Sequence, residues 1–350
     1  MKRKMLIYFF LAVFVLTSCG KNEENNVEIA SKKETFSTPI STTKEITREQ
    51  ISNKKISKLK GKALFKIKNG TLIKYLGGYE KEAEIVLPKS VKRIGKRAFA
   101  VDKKSGKQNK TLHIKIGKNV KLSECSFEKC SSMKIEFEEG REVVEKQAFM
   151  WGPSPYATVE VTLPSSVKVI QERAFYSETG DSGILQVQLV EGLERIEDEA
   201  LAGVKVTKIP DTVRYIGNGA IGEVEKVENI LPSHLEHLGE YSMKCYGGKI
   251  KIPSSVKNIS VNAVEWIDCQ GEEYGYDVAK DNPYYKSDEK GWLYSKDGTK
   301  LFFAYMLGTG EVVVPKGVKY VYKKGINLYD DDVPEDEKNG IMADSEVIFK

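Results

Sequence analysis

Apolar positions in this chain fall into one recurring phrase: apolar, two variable residues, apolar, three variable residues, a small residue, then Phe or another apolar side chain. It first reads Val91-Lys92-Arg93-Ile94-Gly95-Lys96-Arg97-Ala98-Phe99. It returns at Val167 to Phe175, Leu193 to Leu201, Val213 to Ile221, Leu235 to Met243, Val256 to Val264 and Val318 to Ile326. Two looser copies lie at Val120 to Phe127, one residue short, and at Glu142 to Phe149, with Val143 and Val144 shifted by one. Ahead of most copies runs a short alternating segment that ends in proline, such as Val159-Glu160-Val161-Thr162-Leu163-Pro164 or Ile250-Lys251-Ile252-Pro253. Alternation predicts a strand with one buried face, and proline ends it because it cannot donate to a ladder. Each unit is therefore a strand, a turn and a second short segment that sends Val, Ile, Ala and Phe inward.

The last positions of successive phrases, Phe99, Phe127, Phe149, Phe175, Leu201, Ile221, Met243 and Val264, are 28, 22, 26, 26, 20, 22 and 21 residues apart. Steps of this length belong to leucine-rich repeats, in which one unit cannot bury its apolar face alone and stacked neighbours build a continuous core. The expected fold is a β-rich solenoid. Its ends break the pattern. Phe65 to Tyr75 reads as a hairpin about an Asn69-Gly70 turn of type I′, an N-terminal cap. Near the other end, Asp297-Gly298 reads as a turn that joins two strands.

The phrase LPSSVKVIQERAF at Leu163 to Phe175 and the link Phe127-Glu128-Lys129-Cys130-Ser131-Ser132-Met133-Lys134-Ile135 resemble the BspA-type leucine-rich repeat of bacterial surface proteins. The resemblance covers about Ile85 to Val264 and resumes near Glu311. It implies a binding module that attaches to host matrix proteins, other bacteria or partner proteins; Asn282-Pro283-Tyr284-Tyr285-Lys286 and Gly291 to Leu301 resemble a β-hairpin element (NPYYKS, LYSKDGTKL) that interrupts arrays of this kind, which implies a β-hairpin insertion at about residues 270–305.

The start of the chain adds a location. Lys2, Arg3 and Lys4 precede an apolar run from Met5 to Leu16, too short to span a bilayer core of about 30 Å, so it is read as a signal peptide. It ends in Leu16-Thr17-Ser18-Cys19-Gly20, which resembles a bacterial lipobox and implies diacylglycerol on Cys19. Several acyl chains on one residue give stable anchoring. The expected organisation is a signal at 1–18, a disordered polar tether at 19–60 and the solenoid at 61–350. Lys21-Asn22-Glu23-Glu24 resembles a surface-export signal, and the expected location is the cell envelope, with the outer membrane or cell surface favoured. A periplasm-facing scaffold or accessory subunit is the other reading.

Composition excludes more than it assigns. A net charge of +5 on 55 basic and 50 acidic residues gives no strong field toward nucleic acid. His113, His234 and His237 are the three histidines, and the repeat frame puts the last two on variable positions without a third ligand, so no metal site is expected. The acidic run Asp330 to Glu337 lacks the glycine-bent alternation of a calcium loop and reads as a solvated loop. No nucleophile elbow, phosphate loop or paired-carboxylate motif appears; neither catalysis nor a cofactor is expected. Cys125, Cys130, Cys245 and Cys269 read as small buried residues, with a Cys245 to Cys269 disulfide as the rival, since the two are one repeat apart.

Insertions in a solenoid leave the stack at its connections, so the longer steps mark projecting loops. These hold aromatics: Trp151 and Tyr156 in one, Tyr176 in the next, and Trp266, Tyr274 and Tyr276 in the largest interruption. Trp and Tyr dominate binding hot spots, so these six are the candidate contacts for a protein ligand.

Overall fold

The computed structural model describes residues 57–79, 81–101, 110–177, 183–204, 206–222, 224, 230–267, 274–307, 312–322, 326–329 and 348–349. Lys55–Lys350 is one compact unit. Cys19, the signal, the segment Lys21 to Glu24, Cys269 and the acidic run Asp330 to Glu337 lie outside the described residues.

The alternating segments stack as a parallel ladder in the order Ser57–Leu59, Ala83–Ile85, Leu112–Ile116, Met133–Phe137, Thr158–Thr162 and Ile184–Gln188. Register is strict: Leu112, Met133 and Val159 face one another across three coils, as do Ile114, Ile135 and Val161. Every second residue is buried and the others face water, which is the alternation read from the sequence. A second parallel ladder joins two-residue strands from successive phrases: Val143–Val144, Val169–Ile170, Arg195–Ile196, Tyr215–Ile216, His237–Leu238 and Asn258–Ile259. Adjacent strands lie about 4.8 Å apart in such ladders.

Between the ladders sits the core. Phrase positions one, four, eight and nine turn inward, as Val167, Ile170, Ala174 and Phe175 do, all 0% exposed. Lys168 is exposed and Glu172 is half-buried. The ninth position makes a column of rings. Phe99, Phe127, Phe149 and Phe175 stack with centroids 5.5, 4.7 and 4.9 Å apart, and the column passes to Leu201, Ile221, Met243 and Val264.

A third set of bonds joins the coils. The seventh phrase residue has a left-handed backbone at Arg97, Cys125, Gln147, Arg173, Glu199, Gly219 and Tyr241, with φ between 48° and 57°. That turn aims its N–H at the next coil: Arg97 donates to Cys125 O at 2.8 Å, Cys125 to Gln147 O at 2.8 Å and Arg173 to Asp198 O at 3.0 Å. The ninth residue does the same, with Phe149 N on Ala174 O at 2.7 Å and Phe175 N on Ala200 O at 2.8 Å. Backbone donors that would otherwise be buried without partners are thereby satisfied.

The shifted copy at Glu142 to Phe149 has a physical explanation. Its first inward position is taken by Arg141, 3% exposed, whose guanidinium lies 4.6 Å from the Phe137 ring centroid and pairs with Glu145 at 2.8 Å. It also donates to Val120 O.

Both expected hairpins are present. Phe65–Lys68 pairs antiparallel with Thr71–Tyr75 through Asn69 and Gly70, whose φ of 48° and 74° are those of a type I′ turn. Its second strand then pairs in parallel with the first phrase, Leu72 against Ile94, and Tyr75 starts the ring column 5.8 Å from Phe99. The other hairpin runs Tyr285–Ser287, Leu293–Ser295, Lys300–Leu307, and its last strand pairs in parallel with Tyr320–Val321 of the ninth phrase and with Ile326–Tyr329, which starts at that phrase's last residue. Asn282 anchors it: the fully buried amide donates to Pro253 O and Val256 O and accepts from Tyr284 N and Tyr285 N, at 2.8 to 3.1 Å.

Candidate binding surface

The loop from Met150 to Ala157 is held by the coils on both sides of it. Trp151 N donates to Tyr176 O at 2.9 Å, Lys129 N donates to Gly152 O at 2.9 Å, Ser154 N donates to Cys130 O at 2.9 Å, and Gly183 N donates to Pro153 O at 3.1 Å. Gly183 is required here, since a Cβ would lie 2.2 Å from Ala157 O. Within this loop Trp151 and Tyr156 adopt left-handed backbones, φ 71° and 66°, and are 41% and 82% exposed. A bulky residue at positive φ is uncommon and is held there by its surroundings.

Trp151 meets the half-buried Tyr176 edge to face, centroids 5.8 Å apart. The Arg173 guanidinium lies 5.7 Å from the Tyr176 ring centroid and forks onto Glu199 at 2.6 and 3.0 Å. Three of the six candidate aromatics thus share a region of adjoining coils, two in direct contact, beside an ordered ion pair. Such a surface offers flat apolar area and fixed hydrogen-bonding groups, the chemistry of protein recognition.

The other three belong elsewhere. Tyr274 and Tyr276 are each 1% exposed, so neither is a surface contact. Both point inward because they sit two apart in the strand Tyr274–Val278, which pairs in parallel with Gly248–Ile252. Burial pushes the Tyr276 phenol far above its usual pKa. Trp266 is half-buried and packs on this cluster, 5.3 Å from Tyr274, 6.0 Å from Tyr276 and 6.2 Å from Phe303. It supports the core rather than projecting from it.

Cys125 and Cys130 are buried free thiols, and burial raises the pKa of both, that of Cys130 to about 12. Cys245 is fully buried, and the residue opposite it in the next coil is Trp266. His234 is exposed beside Asp211, at 3.2 Å, while His237 stacks on Tyr215 with centroids 4.5 Å apart and rings 5° from parallel. Among the described residues no group of three or more His, Cys, Asp or Glu side chains is placed to hold a metal.

His237 belongs to a surface feature that the sequence reading missed. Third phrase positions line the outer side of the short ladder, so Arg195, Tyr215 and His237 stand in register, with the Arg195 guanidinium 3.7 Å from the Tyr215 centroid. Burial and the Arg195 charge lower the His237 pKa. The signal was available in the spacing, since the three occupy one position of the phrase. Beside this row the second positions alternate in sign, with Lys168 on Glu194 at 3.3 Å, and Arg214 and Lys257 on Glu236 at 3.0 and 2.7 Å.

Two parallel ladders closed by phrase turns, repeating every 20 to 28 residues around one apolar column, define a leucine-rich-repeat solenoid. The model of the BspA type leucine rich repeat region matches residues 79–178, 107–209 and 154–269, in six copies, and the chain belongs to that family. Among solved structures it is similar to the pneumococcal vaccine antigen PcpA, with a TM-score of 0.41 and 20% identity over 59% of this chain and 56% of that one. It is also similar to a leucine-rich repeat protein from Eubacterium ventriosum, with a TM-score of 0.32 and 19% identity over 56% of this chain and 46% of the other. The chain thus spans about half the length of each. No curated protein matches it.

Proposed function

We propose that this chain is a lipid-anchored protein of the bacterial cell envelope that binds a protein partner through the Trp151, Tyr156 and Tyr176 surface and catalyses no reaction. The observation that carries this reading is the pair of exposed aromatic residues on left-handed backbone, in a loop whose backbone is bonded to the coils on both sides. Holding a hot-spot side chain in one orientation before binding removes much of the ordering cost that a flexible loop would incur. The LTSCG junction supports lipid on Cys19, and family membership supports attachment of the cell to host matrix or to another bacterium.

The test is a pull-down with the chain from Lys21 to Lys350 against purified host matrix proteins and outer-membrane components. A partner held by the parent and released by the Trp151→Ala, Tyr156→Ala double variant, with melting temperature unchanged, supports the reading. Equal retention by both proteins removes this surface from the reading. Fatty-acid labelling in cells, present in the parent and absent in Cys19→Ala, tests the anchor separately.

A further inference from the structure

The net charge of +5 hides a strong polarity along the chain. Residues 57–121 carry 19 Lys and Arg against 4 Asp and Glu, whereas residues 122–350 carry 26 against 40. Part of that excess forms a patch on one side of the first coils. Lys68, Thr71, Arg93 and Lys121 are in register across four adjacent strands of the short-strand side, and Lys66 stands opposite Lys74 in the hairpin. Lys66, Lys68, Lys92, Arg93 and Lys121 are all exposed. Like charges directly across strands oppose each other, so the arrangement works against the fold unless something anionic covers it.

Two comparisons within the molecule show that this is not how the repeat normally treats lysine. On the long-strand side of the same coils, Lys58 pairs with Glu84 at 3.2 Å and Lys115 with Glu136 at 2.8 Å. On the short-strand side of later coils, Lys168, Arg214 and Lys257 each have a glutamate in the adjoining coil. The basic patch ends where carboxylates return, at Glu124 and Glu145, which line a shallow depression with Arg93, Lys96 and Lys146.

We propose that this face of the first coils lies against an anionic bilayer and is held by the phosphates of lipid headgroups. A sheet face with register cations on three of its four strands suits a plane of phosphates, and the coils that carry it come first after the segment that begins at Cys19. Juxtamembrane basic clusters bind anionic leaflets through summed, salt-sensitive attraction. The lipid at Cys19 is not needed for this contact. With that lipid present, the patch sets which side of the solenoid meets the membrane.

The experiment uses Lys21 to Lys350, which keeps the compact unit Lys55–Lys350 whole and removes the signal and Cys19. Flotation is measured with phosphatidylcholine vesicles, alone and with about 30% phosphatidylglycerol, at low salt and at about 0.5 M salt. The expected result is binding to the anionic vesicles only, lost at high salt. Replacing Lys66, Lys68, Lys92, Arg93 and Lys121 with Gln weakens it at least about tenfold, and replacing Lys168, Arg214 and Lys257 with Gln leaves it within about twofold. Equal binding to neutral vesicles overturns the proposal, as does an equal loss in both variants. Capture by heparin or DNA without binding to anionic vesicles assigns the patch to another polyanion and also overturns it. The vesicle and salt comparison on the parent protein decides even if a variant fails to fold, and none of its outcomes depends on the Trp151 surface.

Discussion

Phe127 and Phe149 lie face to face, ring centroids 4.7 Å apart and planes 8° from parallel, so the spacing of the rings is the spacing of the coils. Stacking of this kind needs one side chain per coil in one rotamer, which the phrase supplies. Phe149, 1% exposed, has Phe127 on one side and Phe175 on the other. Phe149→Ala is expected to cost about 3 to 5 kcal/mol by opening a cavity between two rings, whereas Phe149→Leu, which copies Leu201 two coils on, costs less than about 1.5. Urea unfolding of both variants measures this, and equal losses would contradict the ring column.

The left-handed column gives a second expectation. Gln147 has φ 57° and is bonded through its backbone to Cys125 before it and Glu172 after it. Gln147→Gly should change stability by no more than about 0.5 kcal/mol, because relief of the left-handed cost offsets the added freedom of the unfolded chain; Gln147→Val should lose at least about 1 kcal/mol. The reverse order would mean that the turn does not need this conformation.

Asn282 closes four backbone hydrogen bonds from full burial. Asn282→Leu leaves the N–H groups of Tyr284 and Tyr285 and the carbonyl of Val256 without this partner, Pro253 O keeping only Val256 N, and should cost about 2 to 4 kcal/mol. Hydrogen exchange on the same variant should rise first at Tyr284 and Tyr285, which lose their acceptor.

Cys130 makes stability depend on alkaline pH. Its native pKa of about 12 stands above the ordinary thiol value of 9.0 because burial disfavours the thiolate. Between those values the native state keeps a proton that the unfolded chain releases, so stability is full below about pH 9 and falls as pH rises, by up to about 1.4 kcal/mol per unit. The stability of the parent relative to Cys130→Ala should therefore decline above about pH 9, and a constant difference would refute the assignment.

The trio at the proposed partner surface is probed by binding. Once a partner is in hand, alanine at Trp151 and Tyr156 together should weaken it by at least about 1.4 kcal/mol, a tenfold change. Titration calorimetry on the folded variant reads this directly.

Much of this architecture was legible in the sequence because period fixes direction. Val91, Ile94, Ala98 and Phe99 were assigned inward from spacing alone, and all are at most 3% exposed. Asn69-Gly70 announced its turn because few residues other than Asn and Gly accept positive φ. The left-handed column was not legible. Its occupants, Arg97, Cys125, Gln147, Arg173, Glu199, Gly219 and Tyr241, share no chemistry, and the conformation is imposed by bonds to the next coil. Arg141 at an inward position was hidden for a related reason, since its charge is met by Glu145 and by carbonyls from the preceding coil. Tyr274 and Tyr276 were misplaced on the surface because they followed an interruption of the repeat; the alternation Tyr274-Gly275-Tyr276 was the cue that both share a strand face. Loop length marked Trp151 and Tyr156 as projecting, and both are exposed, while Arg195, Tyr215 and His237 share the third phrase position and are brought into one stack by the register of the ladder.

The alternating charges on the short ladder matter for more than the ion pairs they make. Coil by coil the row runs Glu142, Lys168, Glu194, Arg214, Glu236, Lys257. Leave out any one inner coil and like meets like: Glu142 over Glu194, Lys168 over Arg214, Glu194 over Glu236, or Arg214 over Lys257. A growing stack that skipped a coil would meet repulsion where the correct neighbour brings attraction. The order of coils is thus checked from outside as well as within, where the ring column gives way after Phe175 to Leu201, Ile221, Met243 and Val264.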